Sequence, residues 1–287
     1  MKVLMGSVYK AARQATRKVR ALSNNSVEKE AIGLSERLAA PRIRIDDAQG
    51  YCKFSSQDLG VKAEVARIAA LSHVWKTETA RTAADKPFLI NILRSQDLFD
   101  IPEVLNVALH DEVIGSVSEY LGQIPWLVSI NVWWTQPNQT TMRSQLYHYD
   151  HRDTRQAKLF INLNDIGPNS GPLNFLPAQS SLKVNKVVGY SQGRYTDEEV
   201  YSACSPDEVL SAAGAAGSAF FVDTARCLHY GSRGNQFERL VLMVSFARVN
   251  CVEKGDGCDV VEPVRRRAIA EKYEKDPVRS FMLRAQG

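Results

Sequence analysis

Hydrophobic residues recur at helical spacing in the first part of the chain. Three stretches are predicted to be helical: residues 1–40, which are polar and rich in Ala, Arg and Lys, and residues 60–84 and 102–122, where apolar residues recur at intervals of three and four positions. Asp85-Lys86-Pro87 interrupts the second stretch. Pro102 and Gly122 bound the third, because proline suits the first turn of a helix and glycine suits its end. We therefore expect residues 1–125 to form a helical N-terminal flank.

The pattern changes after Pro125 to short runs rich in Val, Ile, Leu, Phe and Tyr, separated by Gly, Pro, Asn and Asp. Such runs predict β-strands, and they cover residues 127–136, 144–150, 157–165, 171–179, 217–223, 225–231 and 239–249. Several short strands with turn residues between them indicate an all-β barrel or sandwich. We expect one domain over residues 1–287, with a β core at 126–250, a polar insertion and lid candidate at 182–213, and a helical tail at 251–287.

Composition and charge narrow the class of protein. The chain has 287 residues, of which 44% are hydrophobic and 24% charged, values typical of a globular protein. No apolar run approaches the roughly 18 residues of a membrane span. The net charge of +4 comes from residues 1–27, which hold six basic and no acidic residues, whereas the rest carries a formal −2. This distribution argues against a nucleic-acid-binding surface.

The basic N-terminal segment has two interpretations. A transit peptide is one, and an amphipathic helix that touches a partner or a membrane surface is the other. No secretory signal core follows Met1-Lys2. The five cysteines form no CxxC pair and are odd in number, so free thiols in a reducing, cytoplasmic compartment are expected.

Candidate metal ligands lie in the run Ser144–Asp150. Residues two apart on a strand share a face, so His148 and Asp150 would project together. Two imidazoles and one carboxylate form a facial set of ligands that leaves open positions on ferrous iron. His229 follows a strongly apolar strand and is the candidate third ligand. The alternative is a hydrogen-bonded barrel histidine at position 148. The other histidines lie in predicted helices or on the opposite strand face: His73, His110 and His151.

A candidate anion site follows ten residues after His229. Arg239 begins an apolar run that reads as a buried strand, and a buried guanidinium needs a carboxylate or phosphate partner. Its planar fork fits a carboxylate in a bidentate manner. The alternative is a structural salt bridge, for instance to Asp223 or Glu238.

The order His148-x-Asp150, His229 and Arg239 resembles the iron(II)- and 2-oxoglutarate-dependent dioxygenases. The segments 169–180 and 217–229 resemble, in addition, the phytanoyl-CoA dioxygenase-like branch of these enzymes. The resemblance covers residues 127–249. It departs from the branch at Pro177-Ala178-Gln179-Ser180, where the branch has Pro-Gly-Ser-His, and at Ser218, where it has Asp.

This resemblance implies a double-stranded β-helix, a cupin-like jelly roll, with Fe(II) held by His148, Asp150 and His229. It implies 2-oxoglutarate as cosubstrate, with Arg239 on its distal carboxylate and Lys158 or Asn162 as further binding residues. The implied activity is hydroxylation of a small-molecule or carrier-bound substrate, with O2 and 2-oxoglutarate converted to CO2 and succinate. Asp150 disfavours halogenation, because related halogenases lack this carboxylate. The alternative function is a non-catalytic jelly-roll module that binds a metal or a sugar.

Overall fold

The β core is built on one large antiparallel sheet. The structure is a computed structural model that describes residues 2–79, 88–93, 101–190, 193–252 and 263–284. Six strands lie in the order β1-β7-β4-β9-β3-β2, and a smaller sheet has the order β6-β5-β8. The strands are β1 (Tyr51–Ser55), β2 (Ile90–Asn91), β3 (Trp126–Thr135), β4 (Gln156–Asn162), β5 (Asn174–Phe175), β6 (Leu210–Ser211), β7 (Ser218–Val222), β8 (His229–Tyr230) and β9 (Arg239–Ala247). This architecture confirms the predicted mainly-β fold with flanking helices.

Helices cover one face of the large sheet, and helices also form the described N-terminal and C-terminal segments. They are α1 (Lys2–Ser23), α2 (Asn25–Ser35), α3 (Lys62–Thr79), α4 (Glu103–Ala108), α5 (Asp111–Leu121), α6 (Ala178–Val187), α7 (Asp197–Tyr201), α8 (Pro263–Glu271) and α9 (Pro277–Leu283). The single helix predicted over 102–122 is wrong, because the His110 side chain accepts a hydrogen bond from the Glu112 amide and starts a second helix there. Gly122 ends that helix at φ 75°, as predicted.

The N-terminal flank is not purely helical, which corrects the sequence-based expectation. β1 pairs with β7 at one edge of the large sheet, and β2 pairs with β3 at the other. Both strands are short, and β2 has only two residues, so neither produces a recognisable alternation of apolar and polar positions. The helix break predicted at residues 85–87 lies outside the described residues.

Alternation along the central strands separates two environments. On β9, Leu240, Leu242 and Val244 belong to the main hydrophobic core under the helices. The alternate residues Arg239, Val241 and Met243 line a cavity on the other face of the sheet. Side chains two apart share a face of a strand, so the sheet supplies a packed outer face and a cavity-facing inner face. The candidate site lies on that inner face.

The insertion at 182–213 is tied to the β core. Tyr195 forms a reciprocal backbone bridge with Tyr147, and both side chains are fully buried. Arg233 Nη1 lies 2.8 Å from Asp197 Oδ2, and its guanidinium stacks 3.8 Å above the Tyr230 ring. These contacts hold the insertion against the small sheet, as a wall of the cavity.

The basic residues of α1 bind the body of the protein. Arg13 Nη2 donates to Asp153 O at 2.7 Å, and Arg20 Nη1 donates to Cys251 O. Arg17 Nη2 lies 3.6 Å from Glu28 Oε1. Half of the six N-terminal positive charges therefore serve to dock the helix. None of the helices in the described segments is long and apolar enough to cross a membrane.

Candidate metal centre

Three side chains named from the sequence converge at one place. Ligand atoms of His148, Asp150 and His229 lie within 4.8 Å of one another, and His229 Nε2 is 3.8 Å from Asp150 Oδ2. The backbones of His148 and His229 exchange hydrogen bonds of 2.9 and 3.0 Å, so the two imidazoles stand side by side with ring centroids 4.2 Å apart. Asp150 is fixed by a bond from its amide to Thr224 O at 2.9 Å. A pair of facing segments thus supplies all three groups.

The predicted strand over 144–150 is wrong as an element, although its prediction of a shared face holds. Residues 143–145 form a 3₁₀ turn, and only isolated bridges follow at Tyr147 and His148. Because the segment is not a regular strand, His151 does not turn away as predicted. It lines the same cavity as His148.

Both imidazoles are oriented by carbonyl groups of their own segments. His148 Nδ1 lies 2.9 Å from Leu146 O, and His229 Nδ1 lies 3.0 Å from Cys227 O. Each Nδ1–H donates to its carbonyl, which leaves the lone pair of Nε2 for a metal ion. A hydrogen bond from the second nitrogen to a carbonyl is the usual support of a metal-bound histidine.

The protonation states also suit metal binding. Burial, with help from the neighbouring His229, lowers the pKa of His148 to about 3. Burial also lowers the pKa of His229. Burial acts in the opposite direction on Asp150, but Lys158 and the two imidazoles outweigh it and hold the pKa of this carboxyl below its usual range. At neutral pH the cluster therefore offers two neutral imidazoles and one carboxylate, the forms that bind divalent cations.

Lys158 forms an ion pair with Asp150 within this cluster. Its Nζ lies 2.7 Å from Asp150 Oδ2, and only 17% of its side chain is exposed. Lys158 is therefore part of the cluster and not a surface lysine. The lysine keeps Asp150 ionised and places a positive charge beside the candidate metal position.

The donor set fits a divalent transition metal such as Fe(II). Bonds of about 2.1 Å would place neighbouring octahedral ligands about 3 Å apart, so the 3.8 Å between His229 Nε2 and Asp150 Oδ2 needs only a small adjustment. Three protein ligands leave positions for other molecules. Both Nδ1 atoms are occupied by carbonyl oxygens, so both Nε2 atoms remain available to the metal ion.

Arg239 is buried on the same cavity, and no acidic side chain in the described segments pairs with it. It is 7% exposed, its Nη2 donates to Ser232 Oγ at 2.8 Å, and its Nε is buried with no partner among the described residues. Burial lowers the pKa of Arg239 to about 10.

The structural salt bridge considered for Arg239 is absent from the described segments. Glu238 pairs instead with Lys76 at 2.8 Å. Asp223 accepts a hydrogen bond from Tyr120 at 2.7 Å. A buried, uncompensated guanidinium is costly, so its retention indicates an anionic ligand in the cavity.

The cavity that joins these groups has a volume of about 440 Å³, which falls in the range of about 300–1,000 Å³ typical of small-molecule sites. Its wall includes the three candidate ligands, Lys158, Asn162 and Arg239, and its remaining sides are largely apolar. Asn162 is 2% exposed and donates from Nδ2 to Ala212 O at 3.2 Å, which ties β4 to the end of the insertion. All six site residues predicted from the sequence therefore lie on one cavity.

Two further residues of this cavity were not identified from the sequence. Arg194, on the insertion, lines it, and burial lowers its pKa against the opposing effect of Asp150. Ser232 accepts the hydrogen bond from Arg239 while its backbone adopts φ 60°, a strained conformation for a residue other than glycine. Neither has a local sequence pattern, because a single arginine in a polar insertion and a serine after a glycine are both common.

Comparison with known proteins gives structural similarity only. No protein-family model matches the chain, and no curated protein matches it. The structure of EctD from S. alaskensis with 2-oxoglutarate and 5-hydroxyectoine is 14% identical and covers 79% of this chain and 85% of its own, with a TM-score of 0.53. The apo form of EctD gives 16% identity, 79% and 88% coverage, and a TM-score of 0.50. The non-haem alpha-ketoglutarate-dependent carbocyclase SnoK from nogalamycin biosynthesis is 18% identical, covers 75% and 86%, and has a TM-score of 0.48. The chain therefore shares the jelly-roll fold of EctD.

Proposed function

We propose that the protein is a non-haem Fe(II)/2-oxoglutarate-dependent dioxygenase that hydroxylates a small-molecule or carrier-bound substrate. One observation carries the proposal: a cluster of His, Asp and His ligands opens onto the same cavity as a buried guanidinium that has no counter-ion among the residues the structure describes. A metal-binding module has no use for the guanidinium, and a structural arginine would have an acidic partner. The fold shared with EctD, whose structure contains 2-oxoglutarate, supports the assignment.

His148, Asp150 and His229 would hold the iron, and Arg239 would bind the distal carboxylate of 2-oxoglutarate. When bound, the iron supplies the oxidising chemistry that couples 2-oxoglutarate and O2 to substrate hydroxylation, giving succinate and CO2. Lys158 maintains Asp150 as a carboxylate and is a second cation facing the dianionic cosubstrate. Asn162 is proposed as a wall residue of the cosubstrate pocket.

The surrounding residues prepare the site before any ligand arrives. Ser232 fixes the guanidinium of Arg239 through a 2.8 Å hydrogen bond. The apolar walls exclude water, which strengthens the attraction between Arg239 and a carboxylate. The carbonyls of Leu146 and Cys227 set the imidazole orientations. The protein thus orients the side chains of the site, places their charges and excludes water, and the metal would supply the reactivity.

The sequence segments at 169–180 and 217–229 support a finer placement in the phytanoyl-CoA dioxygenase-like branch, which we include in the proposal. A cytoplasmic location remains part of the same proposal, since the four described cysteines are free thiols.

Purified protein loaded anaerobically with Fe(II) and 2-oxoglutarate tests the assignment. Exposure to O2 should release succinate slowly without substrate, and the His148→Ala variant should lose both the release and metal binding measured by calorimetry with Ni(II). His73→Ala is the matched control, because His73 is exposed on α3 and remote from the cavity lining. Metal binding without any binding of 2-oxoglutarate would instead establish the non-catalytic module.

A further inference from the structure

A second cavity adjoins the candidate metal centre on the side away from Arg239. It has a volume of about 460 Å³ and shares Asp150, Lys158, Trp133 and Met243 with the first cavity. The two cavities therefore meet at the ion pair that includes a candidate metal ligand. We call the second one the polar compartment, defined by the side chains of Ser129, Asn131 and Ser245 on its floor.

The register of the large sheet places these floor residues beside the metal centre. Ser129 on β3 lies opposite Ser245 on β9, and Ser245 lies opposite Lys158 on β4. One row across three strands thus connects Ser129 to the lysine that bonds Asp150. Asn131 lies one step further along the same face of β3, because residues two apart on a strand share a face.

A β-bulge aims Ser129 into the compartment. The register of β3 against β9 shifts between Leu127 and Ser129, and Leu127 packs in the main hydrophobic core. Residues two positions apart on a regular strand face the same side, so without the bulge Ser129 would point into the core beside Leu127. Bulges commonly redirect a side chain next to a functional site.

The floor residues are buried polar groups with unused hydrogen-bonding capacity. Ser129, Asn131 and Ser245 are 5%, 7% and 6% exposed. Their side chains make no hydrogen bond to any residue in the described segments, in contrast to Gln156 in the same wall, whose Nε2 donates to Thr224 Oγ1 at 2.8 Å. Because these side chains line the cavity, a ligand in it can take the place of water as their hydrogen-bond partner. Three such groups on one floor can therefore bind one polar ligand together.

The chemistry of the floor selects the ligand. Each serine can donate and accept one or more hydrogen bonds, and Asn131 presents both an amide donor and a carbonyl acceptor. The three floor side chains are uncharged. The ion pair of Asp150 and Lys158, at 2.7 Å, lies beside them, and the wall also includes His151 and Arg152. An alkyl chain would form no hydrogen bond with these groups, and a carboxylate could accept hydrogen bonds from them but could not donate one to the Asn131 carbonyl. A hydroxyl group can both donate and accept.

We infer that the substrate is an uncharged polyhydroxylated compound, a sugar, cyclitol or glycoside, whose hydroxyl groups bind Ser129, Asn131 and Ser245 on the floor of the polar compartment. The inference rests on the proposed function, since it names the substrate class of that same site. The position of the compartment beside Asp150 brings a carbon of the bound ring next to the metal centre.

Binding to a panel of probes tests this inference. The protein is loaded with Ni(II) and 2-oxoglutarate, which blocks turnover, and titrated with neutral polyols and glycosides, including myo-inositol, methyl glucosides and disaccharides. Glucose 6-phosphate and a long-chain acyl thioester serve as charged and lipid comparisons. Saturation-transfer NMR and calorimetry report binding. Neutral polyols should bind best, and the best of them should accelerate succinate release from the Fe(II) protein.

Variants of the floor separate recognition from folding. Ser129→Ala and Ser245→Ala should each weaken polyol binding by about 3- to 10-fold, and Asn131→Ala by at least as much. Because the three side chains have no protein partners in the described segments, their urea midpoints should stay the same or rise. Ser72→Ala is the control, since Ser72 is fully buried in α3 and bonds Ile68 O at 2.8 Å, outside both cavities. It should leave polyol binding unchanged.

Three results would overturn the inference: tighter binding of the acyl thioester or the hexose phosphate than of every polyol, no binding by any polyol, or polyol binding that the floor variants leave unchanged. Titrations of 2-oxoglutarate with Ni(II) are run separately. If those fail while polyols still bind the floor, the proposed function is wrong and the floor remains a polyol site. If they succeed while polyols fail, only the substrate class is wrong.

Discussion

Arg239→Met should stabilise the ligand-free protein while abolishing cosubstrate binding. Burial lowers the pKa of Arg239 from 12.5 to about 10, and this shift corresponds to a cost of about 3 kcal/mol for keeping the charged form in the folded state. The hydrogen bond to Ser232 offsets about 1 kcal/mol of that cost. Methionine has a similar length and no charge, so the free energy of unfolding should rise by about 1–2 kcal/mol. Urea unfolding at pH 7 without 2-oxoglutarate measures it.

The same substitution should weaken 2-oxoglutarate binding strongly. Truncating one partner of a buried charge pair costs about 2–5 kcal/mol, which corresponds to about 30- to 5,000-fold in affinity. Calorimetry with the Ni(II)-loaded protein gives this number, and the stabilisation of wild type by 2-oxoglutarate in thermal unfolding should disappear in parallel. Arg239→Lys keeps the charge but loses the planar fork, so the affinity of this variant for 2-oxoglutarate should lie between those of the wild type and of Arg239→Met.

Arg248→Met is the matched control for this experiment. Arg248 is also buried, at 9% exposure, but its Nε lies 2.7 Å from Asp153 Oδ2. Removing one member of a buried ion pair costs about 3–5 kcal/mol, so this variant should be destabilised and should still bind 2-oxoglutarate. A loss of stability in Arg239→Met with 2-oxoglutarate affinity within a factor of three of wild type would refute the assignment of Arg239 as an anion anchor.

Three further predictions concern other parts of the molecule. His229→Ala removes one of three candidate ligands. Losing a residue that only supports a ligand costs up to about 100-fold in metal affinity, so Ni(II) affinity measured by calorimetry should fall by more than this, and a smaller loss would contradict the site. Burial raises the pKa of Asp223 from 3.8 to about 6, so its stabilising contribution is complete below pH 4 and is lost as the pH rises through 6. The unfolding free energy of wild type relative to Asp223→Asn should therefore fall by about 3 kcal/mol between pH 4 and pH 7 in urea titrations, and a constant difference would disprove this titration. Arg233→Met removes the Asp197 ion pair and the stacking on Tyr230, so limited proteolysis within 182–213 should accelerate, with a loss of about 1 kcal/mol in stability.

The sequence predicted the central strands well because each is a long run rich in Val, Ile, Leu and aromatic residues. Predicted runs 127–136, 157–165 and 239–249 match β3, β4 and β9 to within two or three residues. These strands face a packed core on one side, so every second residue had to be apolar. Shorter elements escaped the pattern: β2 has two residues, and its pairing with β3 depends on contacts distant in sequence.

The site illustrates the same distinction between local and distant information. The spacing of His148 and Asp150 is local, so the sequence could show it. In the part of the chain that the structure describes, Arg239 has no acidic partner, and Lys158 forms an ion pair with Asp150. These features, and the inward turn of Ser129, depend on register and on a bulge. Register errors of one residue invert which side chains face a cavity, so such features are visible only in the folded chain.

The division of the large sheet into a packed face and a cavity face also has an evolutionary consequence. Substitutions at Ser129, Asn131 or Ser245 change what a ligand meets and leave the core contacts of Leu240, Leu242 and Val244 untouched. Because the floor side chains lie on the opposite face of the sheet from these core residues, variation on the floor should cost little folding stability. A combinatorial library at the three floor positions should therefore yield mostly folded members, and such a scaffold can diversify its substrates over generations while its metal ligands stay fixed.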